Sequence, residues 1–169
     1  AAAEQYFRAA LRGQPDLAEA HNNLGNLLAG RRAYPEAAHH FAEATRHRPD
    51  YVEAHHSHGV VLAMTGAYAD AVTALRTAVR LAPALSQART DLAAVLAATG
   101  RIDEAAREYE LAIASNNMDY DAHLALGEIR AGAGRVADAR RHFEAAAASP
   151  DPAVRQAAAE ALGRLGAGR

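Results

Sequence analysis

Residues 18–51 read AEAHNNLGNLLAGRRAYPEAAHHFAEATRHRPDY, and residues 52–85 read VEAHHSHGVVLAMTGAYADAVTALRTAVRLAPAL. The two align without a gap at a spacing of 34 residues, and the segments starting at Ser86 and Tyr120 keep the same register. A fixed period of this length dictates architecture, because each repeat is one supersecondary unit that buries its apolar face only against its neighbours. With positions numbered 1 to 34 in each copy, position 3 is Ala20, Ala54, Ala88 and Ala122. Position 20 is Ala37, Ala71, Ala105 and Ala139, and position 27 is Ala44, Ala78, Ala112 and Ala146. Position 8 is Gly25, Gly59, Ala93 and Gly127. Position 24 is always large (Phe41, Leu75, Tyr109, Phe143), as are position 17 (Tyr34, Tyr68, Ile102, Val136) and, with His58 as the exception, position 7 (Leu24, Leu92, Leu126). Small residues let helix backbones approach, and the large ones are expected to fill the gaps between them.

Each repeat reads as two helices. Helix A covers positions 1 to 13 and stops before Gly66, Gly100 and Gly134 at position 15, where a left-handed backbone is cheap for glycine. Arg32 occupies that place in the first repeat. Helix B follows two or three residues later, with an acid at position 19 in all four copies (Glu36, Asp70, Glu104, Asp138) to suit the positive end of the helix dipole. Pro35 sits where a first-turn proline is tolerated, and helix B ends near Pro49 and Pro83. Asp16-x-x-Glu19 and Asp50-x-x-Glu53 have the form of capping boxes at the entry to the next helix A. The third junction carries Asn116-Asn117 instead of proline.

The pattern Ala-x-x-x-Leu-Gly-x-x-Leu, then Gly-x-Tyr-x-Glu/Asp-Ala, a large residue at 24, Ala at 27 and Pro at 32, resembles the signature of the tetratricopeptide repeat family over residues 18 to 151. The resemblance implies an all-α fold, a right-handed α-α superhelix of antiparallel helix pairs. Arg32, His58 and Arg130, at the apolar position 11, depart from the pattern. Pentatricopeptide repeats, with a period of 35 and a basic groove, and the longer HEAT repeats fit less well.

The predicted organisation is one solenoid over residues 1–165. Residues 1–17 form the lone helix B of a preceding repeat, with Phe7 at position 24 and Ala10 at 27. Four repeats follow at 18–51, 52–85, 86–119 and 120–151, then a capping helix at 152–165 that is also similar to the start of a HEAT-like repeat, and a tail at 166–169. A helix B without its partner leaves an apolar edge, so the chain is expected to be cut from a longer protein or to be covered there by a neighbour through Tyr6 and Phe7.

Composition narrows the chemistry. The chain has 169 residues, 47 of them Ala, and a formal charge of -2. All 18 basic residues are Arg, and Lys, Trp and Cys are absent. There is therefore no thiolate nucleophile or thiolate metal site, no Lys Schiff base and no phosphate-cradling loop of the Walker type. The charge balance gives no footprint for nucleic acid, and no apolar run reaches a membrane span. Alanine richness with Arg in place of Lys points to a GC-rich bacterial gene; the cytoplasm is favoured over the periplasm.

At about 100° per residue, positions 2, 5, 6, 9, 12 and 13 share the face of helix A opposite the apolar one. In the resembling family this face lines a concave groove for a peptide. Here it reads Glu19, Asn22, Asn23 and Asn26; Glu53, His56, Ser57, Val60 and Met64; Gln87, Thr90 and Asp91; and Asp121, Leu124 and Glu128. Five acids and no Arg lie on it, whereas many Arg (Arg46, Arg76, Arg80, Arg107, Arg140, Arg141) fall on helix B. The expected partner is a protein or peptide segment of basic or neutral charge. The cationic clamp with which some family members hold acidic tails is missing. The first repeat is similar to those preceding the catalytic domain of O-linked N-acetylglucosamine transferases, where an asparagine ladder at position 6 holds substrate. Only Asn23 fits it, with Ser57, Asp91 and Ala125 at the other rungs. That similarity implies an alternative, the substrate-docking part of a larger enzyme; self-assembly through the Tyr6 and Phe7 edge is another.

No catalytic residues, cofactor or metal site are expected. Of nine histidines, His55 and His58 are spaced to share a helix face, but no acidic partner completes a recognised zinc motif, and His58 takes a core position where burial is expected. His21, His55 and His123 all fall at position 4, and His40 and His142 at position 23.

Overall fold

The structure, a computed structural model, describes residues 2–167, and these form ten α-helices and no strand. The chain divides after Pro83 into two compact units. The first contains α1 (Ala2–Gly13), α2 (Ala18–Gly30), α3 (Tyr34–His47), α4 (Val52–Met64) and α5 (Tyr68–Leu81). The second contains α6 (Ser86–Ala98), α7 (Ile102–Ser115), α8 (Tyr120–Gly132), α9 (Val136–Ala146) and α10 (Pro152–Ala167). Within each unit, successive helices pack as hairpins, and the first helices of neighbouring hairpins also touch, α2 with α4 and α6 with α8.

The small and large columns interlock as the register requires. Every alanine at positions 3, 20 and 27 is at most 2% exposed, and Phe41, Leu75 and Phe143 are sealed. A β-carbon added to Gly25 would stand 2.8 Å from the Phe41 ring, one on Gly59 2.5 Å from Leu75, and one on Gly127 2.5 Å from Phe143. In these three hairpins position 8 is thus glycine because the large residue at position 24 already fills its space, whereas the third repeat carries Ala93 opposite Tyr109. In the first unit Leu24, Leu28, Phe41 and Val61 form the core, and Phe7 and Leu11 of α1 pack on it. Phe7 is half-buried in this packing, and Tyr6 beside it is open at 71%.

Position 17 follows the expectation only in the first repeat, where Tyr34 packs on the core. Tyr68, Ile102 and Val136 are each more than 40% exposed, because helix B starts there and the side chain leaves the first turn toward solvent.

The turns show what the sequence misplaced. Gly66, Gly100 and Gly134 have φ of 82°, 77° and 73°, and Arg32 is forced into the same left-handed region at 61°. The capping boxes do not form. Helices α2 and α4 start one residue later than Asp16 and Asp50 imply, with Leu17 and Tyr51 as N-caps that offer no side-chain bond. The position-4 imidazoles tie these turns instead. His21 Nε2 reaches the Pro15 carbonyl at 3.0 Å, His55 Nε2 reaches the Pro49 carbonyl at 2.9 Å, and His123 bonds the Asn117 backbone. Side chains cap two helices: Asp119 accepts from the Ala122 N–H at 3.1 Å at the start of α8, and Asp151 accepts from the Ala153 N–H at 2.8 Å at the start of α10.

At the far end α10 runs through Gly163 and Gly166 to Ala167, past the expected end at 165. Leu162 and Leu165 pack against Ala139, Phe143 and Ala161, and this burial holds the glycine-containing turns helical. The last two residues of the expected tail lie outside the described residues.

Candidate functional site

Helix A presents its polar face unevenly. Asn23, Asn26, Glu53, Met64, Gln87, Asp121 and Glu128 are exposed, as is Glu19; His56, Ser57, Val60, Asp91 and Leu124 are half-buried. Asn22 and Thr90 correct the expectation. Both are buried, at 5% and 6%, because position 5 turns toward the next hairpin's first helix. The Thr90 hydroxyl donates to Asp119 Oδ2 at 2.8 Å, which ties α6 to the start of α8. Leu124, also at position 5, packs on the α9–α10 core.

The expected separation of acids from arginines is incomplete. Arg48 meets Glu19 at 2.8 Å while its guanidinium lies 3.7 Å over the Tyr51 ring, and Arg164 meets Glu128 at 2.6 Å. Aspartates crowd together in the second unit. Partial desolvation, then the carboxylates of Asp119, Asp151 and Asp91, push the Asp121 carboxyl above its usual value. The buried Tyr109 hydroxyl beneath them is pushed up to about 12, by burial first and then by Asp91, Asp119 and Asp121. Four aspartates from α6, the α8 cap and first turn, and the start of α10 thus share one negative field.

The first unit gathers the opposite chemistry. A cleft of about 900 Å³ opens between α1, α2 and α3, lined by Arg8, Arg12, His21, His39, His40, Glu43, Arg46 and His47, among others. His21 Nδ1 stands 3.0 Å from His40 Nδ1, and its ring lies nearly parallel to that of His47 with centroids 6.1 Å apart. Burial, and then His21 and His39, push His40 down to about 4. Glu43 is held below the usual carboxylate range by the Arg46 guanidinium, whose Nη2 also donates to His47 Nε2 at 2.7 Å. One donor atom from each of His21, Glu43 and His47 lies within 4.8 Å of the others.

The His21–His40 pair belongs to the repeat register. Positions 4 and 23 face each other across every hairpin: His123 Nδ1 lies 3.1 Å from His142 Nδ1, and Arg89 meets Glu108 at 2.8 Å. In the second repeat Ala74 stands at position 23, so His55 has only its turn contact there. His55 and His58 line a smaller cleft with Asp70, and His58 is half-buried, less enclosed than a core leucine position implies. Sequence reading saw the position-4 and position-23 columns without pairing them. The signal was there: 19 residues is the fixed offset between them.

The tetratricopeptide repeat profile matches residues 1–46, 26–86 and 90–154. The chain belongs to the tetratricopeptide repeat family. Its fold is similar to the crystal structure of MamA, with a TM-score of 0.81 and 22% identity, covering 85% of this chain and 84% of that one. MamA residues 41 to the end from Desulfovibrio magneticus RS-1 give a TM-score of 0.78 at 22% identity, over 85% and 81% of the two chains. YrrB, described as a TPR protein with an unusual peptide-binding site, gives 0.78 at 22% identity, over 95% of this chain and 82% of that one. None of the curated proteins compared matches the sequence. Tetratricopeptide repeat proteins are generally non-catalytic scaffolds, and no helix among the described residues is long and apolar enough to cross a membrane.

Proposed function

We propose that the chain is a protein-recognition scaffold and that the face formed by α6, α8 and the start of α10 holds a basic segment of its partner. The family and fold support the scaffold, and YrrB supplies a solved relative with a peptide-binding site. The observation that carries the charge preference is the crowding of Asp91, Asp119, Asp121 and Asp151, whose carboxylates add to partial desolvation in raising the Asp121 carboxyl. A guanidinium or ammonium brought to this face relieves that repulsion, a gain that neutral and acidic segments do not offer. Thr90 and Asp119 fix the geometry from beneath, so the exposed Asp121 is presented by a rigid helix start. In the first unit, Asn23 and Asn26 offer amides able to pair with a peptide backbone in both directions.

The test compares three peptides of equal length, one Arg-rich, one with Gln and one with Glu at the same places, titrated against the whole chain. Binding ordered basic, then neutral, then acidic supports the reading, with affinity falling as salt rises. Equal binding of all three, or preference for the Glu peptide, overturns it.

A further inference from the structure

Outside that face, the cleft of the first unit combines donors in a way the scaffold role does not use. We propose that His21, Glu43 and His47 bind a divalent first-row transition ion such as Zn²⁺. The three come from two packed helices: His21 from α2, and Glu43 and His47 one turn apart on α3. Both imidazole lone pairs at the cluster are engaged by neighbouring N–H donors, which a metal would displace. The Pro15 carbonyl only accepts, so His21 carries its proton on Nε2, and its Nδ1 lone pair accepts from His40 Nδ1 at 3.0 Å. His47 Nε2 stands 3.6 Å from Glu43 Oε2 and accepts from Arg46 Nη2, so metal binding there requires Arg46 to swing away. A ligating imidazole whose other nitrogen donates to a backbone carbonyl has the usual orienting partner of a metal-bound histidine.

The donor set selects the ion. Two imidazoles and one carboxylate suit Zn²⁺, Co²⁺, Ni²⁺ or Cu²⁺ and are poor for Ca²⁺ or Mg²⁺, which prefer oxygen ligands alone. Donors at about 2.0–2.2 Å from a tetrahedral zinc stand about 3.3 Å apart, so atoms now within 4.8 Å of one another close by side-chain rotation. His40 Nδ1, which donates to His21 Nδ1 at 3.0 Å, gives a fourth ligand once its proton moves to Nε2, with solvent in the cleft as the other choice. The obstacle is Arg46, which holds both Glu43 and His47. The repeat supplies its own control. The α8–α9 hairpin has the same pair, His123 and His142, but carries Ala145 and Ser149 where Glu43 and His47 stand.

The experiment titrates the tag-free full chain with Zn²⁺ by calorimetry and with Co²⁺ by visible absorption, and follows the melting temperature. One equivalent per chain is expected, with Co²⁺ bands of a low-coordinate site and a melting temperature that rises with metal concentration. His21 is buried, so the deciding variants lie on the open face of α3. Glu43→Gln and His47→Gln should each weaken binding by about tenfold or more. Arg46→Ala should tighten it, and His123→Gln should leave it unchanged. The proposal is overturned by absence of saturable binding, by Glu43→Gln and His47→Gln proteins that bind as well as the parent, or by binding that is lost with His55→Gln or His123→Gln instead.

Discussion

The α2–α3 and α8–α9 hairpins share a backbone plan and a facing histidine pair, yet differ in what surrounds it. In α2–α3 the pair is joined by Glu43 and His47 on the next turns of α3, and the cleft beside it is rich in imidazole and guanidinium. In α8–α9 the corresponding places hold Ala145 and Ser149, and Asp138 is occupied by Arg135 and Arg141. Position 4 with position 23 therefore closes the hairpin in both cases, and the residues at positions 26 and 30 decide what else the pair can do. The same scaffold is specialised by a few outward substitutions while the alanine columns stay fixed.

The sharpest way to break this comparison is to attack the packing the two hairpins share. Gly127→Ala drives a β-carbon to 2.5 Å from Phe143, and Gly25→Ala to 2.8 Å from Phe41. Each should destabilise by about 1–3 kcal/mol in a denaturant titration, Gly127→Ala more, since overpacking costs that much when a ring must move. A neutral Gly25→Ala would mean that α2–α3 is packed differently from its counterpart.

A smaller effect is expected at the turns. Arg32 holds a left-handed backbone at φ 61°, where Gly134 holds its equivalent at 73°. Arg32→Gly should stabilise by up to about 1 kcal/mol, the left-handed penalty of an L side chain less the added freedom of the unfolded glycine. Gly134→Arg should lose a similar amount in the same titration.

The histidine pairs should respond to acid. Burial, then His123, Arg130 and Arg141, push His142 below its usual value, against a raising contribution from Asp138; burial likewise lowers His123. A histidine lowered in the folded state binds its proton more readily when unfolded, so the stability it gives at neutral pH is lost as pH falls below about 6.5. Melting temperature should fall over that range. The double variant His123→Arg with His142→Glu, which copies Arg89 and Glu108, should flatten the fall.

Least in size is the effect of Asp121→Asn on stability. A carboxyl raised in the folded state is a net cost once ionised, so this variant should melt slightly higher at pH 7 and lose the advantage below the carboxylate range.

Much of the fold was legible because its determinants repeat. Alanine at positions 3, 20 and 27 and the large residue at 24 are constraints between stacked helices, and four copies make each column visible. The site was less legible, because it depends on which rotation each side chain takes once the helices are seated. Asn22 and Thr90 fall on the polar arc by angle alone but face the neighbouring hairpin, and Arg48 and Arg164 reach the acidic face from elements the helical wheel places elsewhere. The capping boxes failed for a related reason: the imidazoles at position 4 already tie the turns. His21, Glu43 and His47 come together only through the α2–α3 crossing, since no local motif spans a separation of 26 residues between His21 and His47.

The central claim is that the aspartates of the second unit select a basic partner segment. The most direct measurement is the affinity of a fluorescent Arg-rich peptide for the parent chain and for the Asp91→Asn, Asp121→Asn double variant, at low and high salt. The account predicts weaker binding and a shallower salt dependence in the double variant. Equal affinity and equal salt dependence in the two proteins would contradict it.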